Sequence, residues 1–562
     1  MAGVKPGSQA SRLAPLLVRA RSGWNLLRDR GPGQVQFWLI ALGIGIASGF
    51  AALFFRKGIE ALQTLLYDVD EVQRLTTAAR ELPWQLVVLW PMLGGLVVGL
   101  ILHRFTREGR VHSVAEVIEG AALRDGRVET RAGVASTAAS LITLGSGGSS
   151  GREGPVVLMA AVLATWVNDA IAARGITARD LLGCAVAAAV SASFNAPIAG
   201  ALFALEVVLR HFALHAFAPI VIASAAGTVI NRLEFGDVTE FTLTEPGALA
   251  FYTELPAFLL LGLVCGLMAV VLMRSVFWVE DLGNAAQARL RLPGPLRPML
   301  AGALLGVIAL AFPQIIGVGY ETTSQALTGQ LTLATAVTLA AVKTAAVAIT
   351  MGGRMGGGIF SPSLMLGSLV GLAFGLVATS VFPDQSGSET LYALAGMGAL
   401  AAAVLGAPIS TTLIVFELTG DWQTGLAVMV AVSISSAVAS RLVHRSFFLT
   451  QLERRNIGVS AGPQAYLLSM FRVQNVMRTP DHDRAAPDDA IWQAIEEGIF
   501  VEGNATLKMA MPIFETTNRP FLPVVRMGAP GEPPEILGAL FHLDALRAYN
   551  RALAATAAEE HS

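Results

Sequence analysis

Charge is scarce in this chain. Of 562 residues only 14% are Asp, Glu, Lys or Arg, whereas a soluble domain carries about 25%, so there is too little polar surface to coat a soluble fold of this size. The 39 basic and 41 acidic residues nearly cancel, to −2. No stripe of basic residues interleaved with aromatics occurs, which argues against a nucleic-acid partner. Cysteine is rarer still. Cys184 and Cys265 are the two, each inside an apolar run with no second Cys or His at ligand spacing, so they read as buried packing rather than a disulfide or a metal site. No cofactor motif is expected either. A cleavable leader is not expected either: the first apolar stretch, Phe37 to Phe55, is long and runs on into more chain, and reads as a retained membrane helix.

What the chain has is apolar sequence, 54% of it, with mean hydropathy +0.59. Long apolar stretches recur at about 35–55, 82–102, 250–273, 296–312, 330–351 and 423–442, each near the roughly 20 residues that cross a bilayer as a helix. Shorter pieces lie between them, at 130–144, 156–170, 178–193, 197–209, 363–380 and 390–404, broken by Gly and Pro clusters. Irregular backbone at membrane depth survives only where protein buries it or where it lines a wet cavity. A pathway through the protein is the expectation. Residues 1–34 carry Lys5, Arg12, Arg19, Arg21, Arg28 and Arg30 against one acid, Asp29, which places the N-terminus in the cytoplasm by the positive-inside rule.

The organisation is a repeat. GSGGSSGREGP (145–155) is followed by NAPIAGALFALE (195–206), and GGRMGGGIFSP (352–362) by GAPISTTLIVFE (406–417). The prolines Pro155 and Pro197 lie 42 residues apart, Pro362 and Pro408 lie 46 apart, and both API motifs place a glutamate nine residues after the proline, Glu206 and Glu417. Interrupted helices at matching positions of two halves point to a binding site at the repeat interface. After about Arg455 charge returns and the apolar runs shorten. A helix-like DDAIWQAIEEG (488–498), a strand-like PFLPVV (520–525) and a strand-then-helix segment at 536–553 describe a small α/β module.

The two Gly-rich loops carry the chemistry. Glycines let backbone N–H groups approach a ligand, and a helix starting near Pro155 or Pro362 turns its positive end toward it. One helix terminus stabilises an anion by about 0.3–1 kcal/mol, against an effective desolvation cost of several kcal/mol. Two converging loops with several donors, at about 1.5–3 kcal/mol each for a charged acceptor, offset that cost. Glu153 sits in the first loop. A carboxylate at membrane depth signals function: ionised, Glu153 would occupy the seat as a tethered anion and block passage, and protonated it would swing away. Arg152 and Arg354 beside the seats would raise the local anion concentration. His211 and His215 read as interfacial or core residues. A serine nucleophile at Ser146, Ser149 or Ser150, as in an intramembrane protease, is the alternative from another class. It needs a facing histidine base, and His112 is the one candidate.

GREGP (151–155), NAPIAG…LE (195–206), GGGIFSPSL (356–364) and GAPI…FELT (406–419), in that order, resemble the signature of the CLC chloride channel and transporter family over roughly residues 35–455. The resemblance implies an all-α polytopic membrane fold of two inverted-topology repeats, about 35–235 and 250–455, with about eighteen helices. It also implies a homodimer with one pore per subunit and transport of a small anion, most simply chloride. By the same resemblance Glu153 is the gating glutamate, and Gly151, Arg152, Gly154, Ile359 and Phe360 contribute to the anion site.

Three positions depart from the family pattern. VHSVAE (111–116) puts His112 and Ser113 where GSGIPE or GHGIPE is usual. Phe448 replaces the pore tyrosine, removing a hydroxyl donor. Val207 stands where proton-coupled relatives carry an inner glutamate, which favours a passive channel over a proton-coupled antiporter. The remaining 456–562 resemble a reduced CBS module, with Phe541 rather than Ser or Thr ahead of Asp544, so adenine-nucleotide binding is not expected. The expected location is the cell membrane, with both termini cytoplasmic.

Overall fold

Helix follows helix from Gln34 to Glu453 in the computed structural model, which describes residues 33–69, 74–171, 175–212, 214–236, 254–383, 386–459, 468, 471–503, 505–526 and 534–561. The six basic residues of the N-terminal segment lie outside the described residues. The first half comprises α1 (Gln34–Tyr67), α2 (Leu75–Glu81), α3 (Trp84–Phe105), α4 (Val114–Leu123), α5 (Thr130–Ser146), α6 (Glu153–Ala170), α7 (Gly175–Phe194), α8 (Pro197–Phe203, continued by a π-helical turn, Ala204–Leu209) and α9 (Leu214–Phe235). The second comprises α10 (Leu255–Leu290), α11 (Leu296–Ala311), α12 (Tyr320–Leu327), α13 (Leu333–Gly352), α14 (Phe360–Val381), α15 (Glu389–Leu405), α16 (Pro408–Thr419), α17 (Trp422–Val443) and α18 (Phe447–Glu453).

The short α2 and the final α18 apart, the second half repeats the first in order and size. Helix α1 has 34 residues and α10 has 36; α4 and α12 have 10 and 8; α6 and α14 have 18 and 22; α9 and α17 have 22 each. At a rise of about 1.5 Å per residue, α1 and α10 run to about 50 Å, well beyond a hydrocarbon core of about 30 Å. Seven helices among the described residues are long and apolar enough to span a bilayer alone. One of them, His215–Phe235, is absent from the spans read in the sequence. Helix α1 also continues 12 residues beyond the expected end at 55, and the helix after Pro155 begins at Glu153, with the proline in its first turn.

Equivalent helices of the two halves pack against each other. Helix α3 carries Gly95 and Gly99, α11 carries Gly302 and Gly306, and a Cβ on any of the four would collide with backbone of the opposite helix or, for Gly99, of Pro295 just before it. This small-xxx-small arrangement lets two membrane helices approach until backbones touch. Glu206, in the π-helical turn after α8, accepts from Ile409 N at 2.9 Å and Ser410 N at 2.8 Å, at the start of α16. Glu417, near the end of α16, accepts from Ile198 N at 3.0 Å and Ala199 N at 2.8 Å, at the start of α8. Each glutamate satisfies orphan amides of the other's helix. A reciprocal exchange of this kind is the mark of a two-fold axis, and it sets α8 and α16 antiparallel.

The C-terminal residues form a separate unit with the short segments 122–125 and 210–217. It contains α19 (Asp488–Glu496), β1 (Val501–Glu502), α20 (Leu507–Thr517), β2 (Phe521–Arg526), β3 (Glu535–Phe541) and α21 (His542–His561). The sheet order is β1-β2-β3, parallel then antiparallel. Val501, Leu507, Phe514, Leu522, Val524 and Leu540 form its core. The helix expected at 488–498 and the strands expected near 520–525 and 536 are present.

Candidate functional site

The two Gly-rich loops meet. Gly151 N donates to Gly358 O and Gly358 N donates to Gly151 O, both at 2.7 Å, forming an antiparallel bridge. These glycines stand at one constant offset, 207 residues, that also relates Glu153 to Phe360, Gly154 to Ser361 and Pro155 to Pro362. The same offset relates Thr143 to Thr350, whose hydroxyls accept from the opposite loop: Gly356 N to Thr143 Oγ1 at 2.9 Å and Ser149 N to Thr350 Oγ1 at 3.1 Å. The residues before the helices, Arg152 (φ −89°, ψ −19°) and Ile359 (φ −93°, ψ −7°), share one backbone conformation. Gly357, at φ 122°, could not carry a side chain, since a Cβ would strike Ser150. The local two-fold axis therefore passes between Gly151 and Gly358, and the N-termini of α6 and α14 converge on either side of it.

The symmetry of the backbone is broken by the side chains. Glu153 is buried, with 2% of its surface exposed. Its carboxylate crosses the axis to the start of α14, where Ser361 Oγ donates to Oε1 and Ser361 N donates to Oε2 at 3.3 Å. An acidic side chain thus occupies the amide end of the opposite helix, which is where a free anion would be held. Phe360, its counterpart, packs into an aromatic cluster with Phe194 and Phe203, ring centroids 4.7 and 5.6 Å away.

A narrow cavity at this seat is lined by Glu153, Gly154, Ile359, Phe360, Ser113 and both Phe447 and Phe448, among others. Ser113 and Met351 also line a larger polar cavity whose wall carries Arg110, Arg354, Arg454 and Arg455. The two cavities thus share a neck. Beyond Glu153, Arg152 borders a third cavity with Arg56, Glu60, Tyr320 and Glu321. The guanidinium of Arg152 stands 5.2 Å from the Tyr320 ring centroid and donates to Ser193 O at 3.1 Å. Glu153 is therefore set between a basic cavity on one side and, on the other, a cavity in which Arg56 and Arg152 are matched by Glu60 and Glu321.

The structure brings Glu153, Gly154, Ile359, Phe360, Ser113 and Phe448 to one cavity. Gly151 is engaged in the bridge, and Arg152 faces the third cavity. His112 is half-buried and donates its amide to Ser136 Oγ at 2.9 Å. Ser113 N is taken by Glu116 Oε2 at 2.6 Å, as a residue preceding a helix often is. Val207 is buried in the π-helical turn, a local irregularity found often at functional sites. Sequence reasoning missed Ser361, Met351, Phe447 and the threonine pair. The repeat offset would have exposed Ser361 as the partner of Gly154, and Thr350 as that of Thr143. Ser146 and Ser150 Oγ donate to the carbonyls of Thr143 and Gly356, an arrangement without the base that a serine nucleophile needs.

Comparison with known proteins gives a consistent picture. The model of the family described as voltage gated chloride channel matches residues 94–440. A ClcB-like chloride channel protein of Ralstonia nicotianae is 32% identical over 392 residues, covering 69% of this chain and 90% of its own length. The crystal structure of a slow cyanobacterial Cl−/H+ antiporter superposes with a TM-score of 0.67 at 22% identity, over 75% of this chain and 98% of that one. That of a eukaryotic CLC transporter superposes with a TM-score of 0.65 at 16% identity, over 93% of this chain and 98% of that one.

Proposed function

The chain belongs to the voltage-gated chloride channel family, a family of anion transporters and channels rather than enzymes, and from that premise we propose that it conducts chloride through the narrow cavity at Glu153, with Glu153 as its gate. The observation that carries this reading is the carboxylate of Glu153 seated on Ser361 at the amide end of α14. An anion that takes the carboxylate's place meets the same donors, so chloride and the carboxylate compete for one seat. Protonation removes the carboxylate's charge and with it the attraction to the helix terminus. Gly154, Ile359 and Phe360 supply backbone at the seat, Ser113 and Phe448 narrow its approach, and Arg152 draws anions to its far side.

Passive conduction is the preferred mode. Coupled exchange needs a relay that takes protons from the side opposite Arg152 to Glu153, and the buried alkyl group of Val207 can neither bind nor pass a proton. The adjacent carboxylate, Glu206, is committed to the start of α16. Proton-coupled exchange is the second reading, favoured by the likeness in fold to a Cl−/H+ antiporter. A chloride gradient imposed on proteoliposomes decides between them. Sustained stoichiometric uphill proton movement, abolished by Glu153→Ala, would refute passive conduction.

The basic vestibule with Arg110, Arg354, Arg454 and Arg455 is taken as the cytoplasmic one by the positive-inside rule, with the termini on that side of the cell membrane. Ile198 and Ile409, at matching positions of α8 and α16, are 55% and 47% exposed. Together with the family relationship, they support a homodimer buried on that face. We further propose residues 1–34, 35–455 and 456–562 as N-terminal segment, transport domain and reduced CBS-like tail. The small three-stranded sheet with its flanking helices supports an α/β module for the last of these.

A further inference from the structure

The cavity that opens from the neck at Ser113 and Met351 is larger than passage of a halide requires. Its volume is about 260 Å³, just under the usual range of small-molecule sites and ample for a compact polyatomic ion. Its wall holds four guanidinium groups, Arg110, Arg354, Arg454 and Arg455, and one carboxylate, Glu280. Three of the arginines have acid partners set back from the wall: Arg110 pairs with Glu108 at 2.7 Å, Arg454 with Asp281 and Arg455 with Glu116. Arg354 differs. Its guanidinium donates to neutral oxygens, Glu108 O and Asn284 Oδ1, both at 3.2 Å. Its backbone is left-handed, φ 62°, immediately after α13 has ended. Glycine is the residue that takes this conformation without penalty. An arginine held there at a steric cost presents a cation to the cavity with its charge uncompensated, and strain of this kind is a pointer to function.

We propose that this vestibule is a binding site for a small polyvalent oxyanion of the phosphate or sulfate class, with Arg354 and Arg110 as its principal contacts, and that its occupancy obstructs the anion route. Guanidinium forks match the paired oxygens of such an anion, which a spherical halide cannot use. The cavity is polar, so a hydrated ligand enters without full desolvation. Ser113 and Met351 line both cavities, so an occupant at the neck lies in series with the seat at Glu153. The obstruction rests on the chloride-transport reading above; the binding does not.

The test therefore has two independent readouts on the full-length protein. Chloride efflux from proteoliposomes is measured with sulfate, inorganic phosphate or glycerol phosphate replacing gluconate at constant ionic strength. Binding of the same three ions is measured by titration calorimetry in detergent and gluconate. At least one oxyanion is expected to slow efflux and to release or absorb heat. The Arg110→Gln/Arg354→Gln double variant should raise both the inhibitory concentration and the dissociation constant by about tenfold or more, as loss of charge-assisted hydrogen bonds implies. Preference for glycerol phosphate over the inorganic ions would identify an organic phosphate as the ligand. Should the double variant fail to fold, Arg354→Lys, which keeps the charge and loses the fork, is expected to show a smaller shift in the same direction. Absence of binding heat for all three ions, or inhibition and binding that the variants leave unchanged, overturns the proposal. Variant-sensitive binding heat without any chloride efflux in the control liposomes refutes the transport reading and leaves the site standing.

Discussion

Ser361→Ala tests the gate more sharply than removing the glutamate itself. The variant deletes one hydroxyl that donates to Glu153 Oε1 and leaves the weaker 3.3 Å bond from Ser361 N to Oε2. A hydrogen bond to a charged group is worth about 1.5–3 kcal/mol. With about 1.4 kcal/mol per decade, the ratio of displaced to seated carboxylate rises roughly 10- to 100-fold. Because the seated carboxylate blocks the route, chloride efflux at neutral pH is expected to rise by up to the same factor, with the Glu153→Ala rate as its ceiling. Initial efflux rates from proteoliposomes with matched protein content provide the measurement. The same Ser361→Ala change made together with Glu153→Ala should give no such rise, since only the anion's own hold on the seat is then weakened, and this cycle isolates the pair. An unchanged or slower rate in folded Ser361→Ala, or an equal effect in the Glu153→Ala background, would show that the seat does not gate.

Glu153→Gln should leave a chloride route that no longer responds to external pH, read as flat efflux across the pH range over which the wild type varies. Glu417→Ala strips the acceptor from Ile198 N and Ala199 N and should cost about 2 kcal/mol, a typical upper value for a lost helix cap, visible as a lower melting temperature in detergent. A homodimer is expected by native mass measurement in detergent and in nanodiscs, and a strictly monomeric mass in both would count against the proposed face at Ile198 and Ile409. Thermal-shift titration of the tail with ATP should show no specific stabilisation. Phe541 has no hydroxyl to offer, its ring lies 3.9 Å from the Arg478 guanidinium, and Arg478 holds Asp544 at 2.7 Å.

Much of this architecture is legible in the sequence because glycine and proline are conspicuous in apolar surroundings. The loops at 145–155 and 352–362, their ordered recurrence and the exceptional position of Glu153 need no coordinates. Helices α4 and α12 are harder to see. With 10 and 8 residues they are too short to register as spans, and they are stable only because neighbouring helices cover them. Helix α9 escapes for a different reason. Pro219, Ser224, Asn231 and Arg232 dilute its apolar character, although Ser191 Oγ satisfies the carbonyl of Ser224 at 2.7 Å within the fold. The partner of Glu153 was hidden because it comes from the other half of the chain. A linear reading shows which residues stand in each loop, whereas the crossing of a side chain over the axis is a fact of three dimensions.

The bridge between Gly151 and Gly358 has a consequence beyond holding two loops together. Its hydrogen bonds would be made just as well by two separate copies of a half-length chain, one inverted relative to the other about the two-fold axis, and the same is true of the mutual hold of Glu206 and Glu417. Such an assembly would be indifferent to which side an ion came from, with identical thresholds facing both compartments. In a single chain each threshold is free to differ from the other. One carries a latch at residue 153 and the other a phenylalanine at 360, so a frame with no preferred direction holds a door hinged on one jamb.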